Sequence, residues 1–367
     1  MKKSFIMLTA IPFFLISFCI QGQTWQQCKS LPEKFSPACG TINNKIYAVK
    51  GCANDFKTPG CIYEYDPVKD IWQKKATMPV TKNSFQSFVF NGKLYTIGGI
   101  SDTSGRRSET LEEYDPATDR WTQKASMKTG REGIGIIIYG GKIFAFGGFK
   151  AKNDIDTDAV EVYDPQTDTW EVKTSMPTSR AWTRVCNLNN KIYVFGGFGS
   201  GKNQIAVEEY NPANDSWTKK KSLPHTEPIL FAGTIDGSIY GIFSVFNFGS
   251  KAYTEKYNPV TDTWISLAPP VQNSFFDFAG LVSGKNIFVI SGFRFDANNV
   301  TKIVQRYDIL KNKWEQLPDL AYGRVAMGAE IIGNTIYVIG GQFGWYTNPI
   351  RYTDSVEKLD LTNLFEN

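Results

Sequence analysis

Histidine is almost missing from this chain: His225 is the only one in 367 residues. That excludes any metal centre built on two imidazoles, whether a zinc hydrolase of the His-Glu-x-x-His type or a two-histidine copper site. The six cysteines include no Cys-x-x-Cys pair, so a redox motif and a thiolate zinc site both lack their ligands. No Gly-x-Ser-x-Gly elbow, Walker loop or dinucleotide-binding glycine pattern occurs, and no cofactor is expected. Charge of one sign is also lacking. A formal net charge of +4 is no electrostatic footprint for nucleic acid. His225 itself, in Leu-Pro-His-Thr-Glu-Pro, reads as a surface loop residue.

Long apolar runs are scarce as well. The one at residues 5–20, FIMLTAIPFFLISFCI, is broken by Pro12 and is short for a permanent membrane span. It follows Met-Lys-Lys and precedes the small residue Gly22, the layout of a secretory signal peptide cleaved near Gly22–Gln23. Residues 1–22 are therefore expected to be removed, leaving a periplasmic or secreted single domain over 23–367. No transmembrane segment remains after cleavage, and the net charge becomes about +2. Export permits disulfides. Cys52 and Cys61 flank the loop Ala-Asn-Asp-Phe-Lys-Thr-Pro-Gly between two strands expected to pair, and a bridge is expected there. Cys28 with Cys39 is a weaker pairing, and Cys186 is left as a buried thiol.

What the chain has in quantity is repetition. KIYAVKG begins at Lys45, KLYTIGG at Lys93, KIFAFGG at Lys142, KIYVFGG at Lys191 and TIYVIGG at Thr335. A second phrase alternates with the first: YEYDPVKDIW, EEYDPATDRW, EVYDPQTDTW, EEYNPANDSW, EKYNPVTDTW and QRYDILKNKW. These end at Trp72, Trp121, Trp170, Trp217, Trp264 and Trp314. A period of about 50 residues marks a repeat architecture. Each unit reads as four strands: an inner apolar run such as GIGIIIY, the Gly-Gly strand, the Tyr strand and an outer Trp strand. Asp-Pro opens the last turn. Nothing reads as helix.

These phrases in register resemble the kelch-repeat β-propeller family, of the exported bacterial type, over residues 24–367. The resemblance rests on Gly-Gly at 98–99, 147–148, 196–197 and 340–341 with the Tyr and Trp spacing above. AVKGC, GIFSV and VISGF lose one or both glycines, so those units are expected to pack differently at that corner. Second strands at Tyr47, Tyr95, Phe144, Tyr193, Tyr240, Phe288 and Tyr337 count seven blades. The last unit has no Trp strand, whereas the mature N-terminus opens on Gln-Thr-Trp25 with no unit before it. An all-β, seven-bladed propeller closed by its N-terminal strand is the expected fold, and closure removes exposed sheet edges.

In this architecture the inter-blade loops share a face with the loops between strands two and three. Arg131, Arg180 and Arg324 fall at equivalent positions in the inter-blade loops, with Trp182, Arg184, Glu227 and Tyr322 nearby. Phe149, Phe198, Phe293 and Trp345 come from the facing loops. Arginine forks among aromatics suit an acidic peptide or a sugar acid; the same arginines could instead bond loop carbonyls as scaffold. The ligand-binding set carried forward is Arg131, Arg180, Trp182, Arg184, Arg324, Phe293 and Trp345. The leading expectation is a monomeric, non-catalytic, extracytoplasmic module that recognises a protein or carbohydrate around the central channel. The alternative is a sugar-acid mutarotase or epimerase resembling the exported sialic acid kelch enzymes. Its acid–base groups would be Glu227 or Glu132, with Arg180 or a neighbouring arginine as the cation.

Overall fold

The computed structural model describes residues 24–364 apart from 53–55, 151–154, 245–250, 273–274, 295–296 and 344–349. Seven four-stranded antiparallel sheets make the blades. Blade 1 is typical, with strands Ala38–Ile42, Lys45–Lys50, Cys61–Asp66 and Ile71–Thr77 running from the channel outward. Blades 2 to 6 span residues 86–124, 135–173, 184–220, 229–266 and 279–317. The second and third strands are buried on both faces, because each blade is covered by its neighbours; the fourth is largely exposed. The core therefore lies between blades. Tyr95 and Ile97 of blade 2, for example, pack with Ile143, Ala145, Tyr163 and Trp170 of blade 3.

Blade 7 is composite. Gly328–Ile332, Thr335–Ile339 and Val356–Asp360 take their fourth strand from Gln26–Gln27, with Gln26 opposite Lys358 and Gln27 opposite Glu357. The tryptophans show that this strand occupies a true repeat position. Each outer-strand indole donates to a backbone carbonyl of the preceding blade: Trp121 to Ala76, Trp170 to Ala125, Trp217 to Thr174, Trp264 to Lys221 and Trp314 to Ala268. Trp25 donates to Pro318 at 2.7 Å, and Trp72 donates to Lys29 at 2.8 Å, which completes the circle. The indoles thus reach back to the preceding blade.

The residue two positions before each phrase's Trp, an Asp in blades 1 to 5 and Asn312 in blade 6, was passed over in sequence inspection and holds the same seam. Asp168, at φ 52°, accepts from the Tyr163 hydroxyl (2.7 Å) and from the Ala125 amide (2.9 Å) of the blade before. Asp70, Asp215 and Asp262 repeat this arrangement. Burial works against ionisation of Asp168, but the Ala125 amide and the Tyr163 hydroxyl outweigh it, so its carboxyl lies below the usual range. A depressed folded-state pKa contributes stability that is present above the unfolded value of about 3.9 and lost as pH falls through the folded one. In blade 6 Asn312 makes the equivalent bonds without titrating, at 2.6 Å to Tyr307 and 2.9 Å to Ala268. Asp168→Asn is therefore expected to shrink the drop in melting temperature between pH 7 and acid. Melts that fall equally in wild type and variant would show that the seam does not titrate.

The expected Cys52–Cys61 bridge is not formed. Cys61 is a thiol on the third strand of blade 1, opposite Lys50, and both residues are buried. The Cys52 amide is instead tied to the Lys82 carbonyl of the following inter-blade loop, which draws that backbone toward blade 2. Cys28, Cys39 and Cys186 are also thiols, and Cys186 is buried as expected.

Candidate functional site

The inter-blade loops and the loops after the second strands meet on one face, as their sequence phrases require. The paired glycines make that meeting possible. A Cβ on Gly147 (φ 60°) would lie 2.1 Å from the Arg180 carbonyl, and one on Gly148 (φ 111°) 2.7 Å from the Glu132 carbonyl. Where blade 6 has Ser291 for the first glycine, the serine adopts φ 58° and its hydroxyl bonds the Thr301 and Arg324 backbones.

Arg131, Arg180 and Arg324 do not reach the surface; each is 0% exposed. Arg131 donates to the carbonyls of Gly147 and Ala159 and to Glu161 at 3.1 Å, tying the second strand's exit to the third strand's entry. Arg180 bonds the carbonyls of Ala206 and Val194 and pairs with Glu208 at 2.6 Å. Arg324 bonds Gly340 and Ser355 and pairs with Glu357. Burial pushes the Arg131 and Arg180 guanidinium groups down to about 10, against the opposing charges of Glu161 and Glu208. They stay charged at neutral pH and are spent within the scaffold. The expectation that they contact ligand is corrected accordingly.

The same seat recurs around the ring with other chemistry. Lys82 pairs with Glu112, His225 with Glu255 at 2.7 Å, and the Gln272 amide bonds Gln305 at 3.0 Å. His225 is thus a half-buried seam residue stacked 3.7 Å from Tyr253, and its assignment to an open surface loop is revised. Phe293 is also withdrawn from the ligand set: it is 3% exposed, with its backbone paired to Phe276. Trp345 lies outside the described residues.

Two residues beyond the seated cations, the chain reaches the channel mouth. Ser84, Gly133, Trp182 and Ala326 stand at that offset from Lys82, Arg131, Arg180 and Arg324, and all have positive φ. Asp277 takes the same turn in blade 6. These five residues line a cavity of about 950 Å³ together with Lys34, Phe85, Gln86, Glu132, Met327 and Tyr352. One backbone position, repeated around the ring, therefore presents hydroxyl, hydrogen, indole, carboxylate and methyl. Sequence inspection could have found the first four by counting from the cations, but not Asp277, which follows no cation.

Trp182 is the exceptional member. A tryptophan at φ 52° is a backbone outlier, yet its side chain is 54% exposed. It is braced from below. Its amide bonds the Gly133 carbonyl at 2.7 Å, Phe149 meets the indole edge-on at 5.0 Å, and Phe198 lies 6.2 Å away. Gly133 makes room for it, since a Cβ there would sit 2.6 Å from the indole. Glu132, also at the mouth, pairs with Arg107 at 2.8 Å. Arg184, on the innermost strand of blade 4, bonds the Leu230 carbonyl; burial lowers its pKa, and the charge of Asp277 opposes that shift. Glu227 occupies the blade 5 offset position, half-buried and outside the cavity lining, so Glu227 and Arg180 are not brought together.

Among the described residues no three His, Cys, Asp or Glu side chains converge for a metal, and no helix is long and apolar enough to cross a membrane. The chain is similar to a solved structure described as "Structure of YjhT", with a TM-score of 0.56 and 17% identity over 90% of this chain and 96% of that one. That likeness concerns the fold. Kelch repeat and BTB domain-containing protein 12 of Homo sapiens is 29% identical over 24% of this chain, and Kelch-like protein 15 of Danio rerio 42% over 18%. The matched stretches span 16% and 11% of those proteins' own lengths. The Kelch motif profile matches residues 323–364, and the KLHDC2/KLHL20/DRC7 Kelch-repeats domain profile matches residues 14–197, 84–272 and 133–341. The chain belongs to the kelch-repeat family.

Proposed function

We propose that the protein is a non-catalytic recognition module whose ligand docks at the channel mouth with Trp182 as its anchor. The observation that carries this reading is the braced, exposed indole held at an unfavourable backbone angle. Strain of this kind costs about 1–3 kcal/mol and persists only where the surroundings impose it. A half-exposed Trp beside a concave, mixed polar and apolar wall is the composition of a binding hot spot. Glu132, Asp277, Gln86 and Ser84 give the wall hydrogen-bonding groups, which suits a glycan or a polar peptide loop.

The module acts outside the cytoplasm in this reading. Residues 1–22 lie outside the described residues, and their signal-peptide pattern supports export. Cleavage after Gly22 also leaves Trp25 and the closing strand intact. Amino-terminal sequencing of the secreted form is expected to begin at Gln23. The mutarotase alternative retains Glu132 at the mouth but loses Arg180 as its cation.

Glycan and peptide arrays probed with labelled wild type and Trp182→Ala test the anchor. Truncation of a hot-spot Trp costs about 2 kcal/mol or more, so binding is expected to fall about thirtyfold with an unchanged melt. Equal binding by both proteins would overturn the assignment.

A further inference from the structure

A second concavity lies on the same face, farther from the axis, where blades 2 and 3 meet. It has a volume of about 600 Å³ and is lined by Ser104, Gly105, Arg106, Arg107, Lys128, Thr129, Gly130 and Lys150. Four of these eight residues are cationic, in a chain whose total charge is near zero. They come from three separate segments: the loop after the second strand of blade 2, the inter-blade loop, and the corresponding loop of blade 3.

The four cations are not equivalent. Arg107 is buried and fixed, bonded to the Gly105 carbonyl at 2.7 Å and paired with Glu132 at 2.8 Å, so it forms a rigid floor whose charge Glu132 balances. Arg106 meets Glu109 only at 3.5 Å, with both side chains more than a third exposed. Such surface pairs are worth little and are readily exchanged for a better acceptor. Lys128 and Lys150 are exposed and make no ion pair among the described residues. Gly130 lets the loops close on one another, because a Cβ there would lie 2.3 Å from the Arg107 carbonyl. Thr129 adds a hydroxyl to the lining, whereas the Ser104 hydroxyl is given to Asp102 at 2.5 Å.

We propose that this cleft is a binding site for a tetrahedral oxyanion, the phosphate or sulfate ester group of a larger ligand. Point charges arriving from three loops match three oxygens spread around a tetrahedral centre. A planar carboxylate is met best by a single bidentate arginine fork, and the buried Arg107 divides its two terminal nitrogens between the Gly105 carbonyl and Glu132. The cleft shares no lining residue with the channel mouth, although its Arg107 pairs with Glu132 of the mouth.

Amide NMR titrations with glucose 6-phosphate, glucose 6-sulfate and glucuronate at constant ionic strength decide the matter. The esters are expected to shift the Gly105, Gly130 and Lys150 amides with Kd values on the order of 1 mM, and glucuronate about tenfold more weakly. The two exposed lysines make no ion pair among the described residues, so Lys128→Glu with Lys150→Glu should fold normally and lose both ester responses. Trp182→Ala should keep them. Phosphate and sulfate are told apart by pH, because only the phosphate gains charge across its second pKa of about 6. Equal response to glucuronate, response to neither ester, or full response in the double variant would overturn the proposal.

Discussion

Removal of residues 23–31 is expected to lower the melting temperature by about 10 °C or more. The segment is short, but it fills a complete repeat position. Trp25 supplies the indole bond to blade 6, and Lys29 both receives the Trp72 indole at its carbonyl and gives its amide to Asp70. Leu31, 3% exposed, packs in a shared core with Phe35, Ile339 and Val356. The amides of Cys28 and Leu31 bond the Val356 and Asp354 carbonyls. Loss of one buried leucine side chain alone costs about 2–5 kcal/mol, a large share of a typical total of 5–15 kcal/mol. The deletion also bares the third strand of blade 7 as a pairing edge, so self-association should accompany the lower melt. Trp25→Phe keeps the ring and removes the bond, and should cost much less. Calorimetry on the three proteins measures this, and an unchanged melt in the deletion would contradict closure by the N-terminal strand.

Arg180→Ala is expected to destabilise the fold by about 3–5 kcal/mol, because it leaves the Glu208 carboxylate buried without its counter-charge. Glu208 is 1% exposed, so water cannot take the place of the guanidinium. Replacing both partners with apolar residues of similar volume, Arg180→Met with Glu208→Leu, should recover much of that loss. Non-additivity measured by denaturant unfolding of the single and double variants distinguishes a scaffold pair from a ligand contact. A contact residue would give Arg180→Ala a normal melt and impaired binding, which is the result that would return Arg180 to the site.

The fold was legible because its signals repeat. One Gly-Gly or Tyr-Asp phrase is weak; seven units in register leave little freedom, and the displaced Trp25 announced the closure. The scaffold reading of the arginines is the one the structure bears out, and their place in the ligand set fails for a physical reason. Position in a loop shows nothing of burial, and the partner that buries each cation lies about 30 residues away. That partner, however, is the Glu that opens the Tyr phrase, as in Glu161-Val-Tyr and Glu208-Glu-Tyr. Acid and base recurring together at a fixed offset were the visible sign of a structural pair. Phe293 failed similarly, since its facing-loop position conceals a backbone pairing that turns the ring inward. The cysteine pairing failed because proximity in sequence does not fix where the backbone between them is anchored.

The exposed position of Trp182 stands apart for the opposite reason. Of the nine tryptophans, seven form the indole circle, Trp182 has no part in it, and Trp345 lies outside the described residues. A residue that a repeat does not need is where recognition can be added without disturbing the scaffold. Ser84 and Ala326 escaped notice because small loop residues carry no mark beyond their offset from a cation, and Asp277 is revealed only by the backbone turn it shares with Trp182.

Saturation-transfer proton NMR of residues 23–367 with a panel of neutral sugars, sugar acids and short polar peptides tests the channel mouth most directly. Transfer to at least one ligand class is expected in wild type and lost in Trp182→Ala, with anomer exchange no faster than in buffer. Transfer that survives unchanged in Trp182→Ala would contradict the assignment of the mouth as the binding site. Faster anomer exchange would make the protein an enzyme.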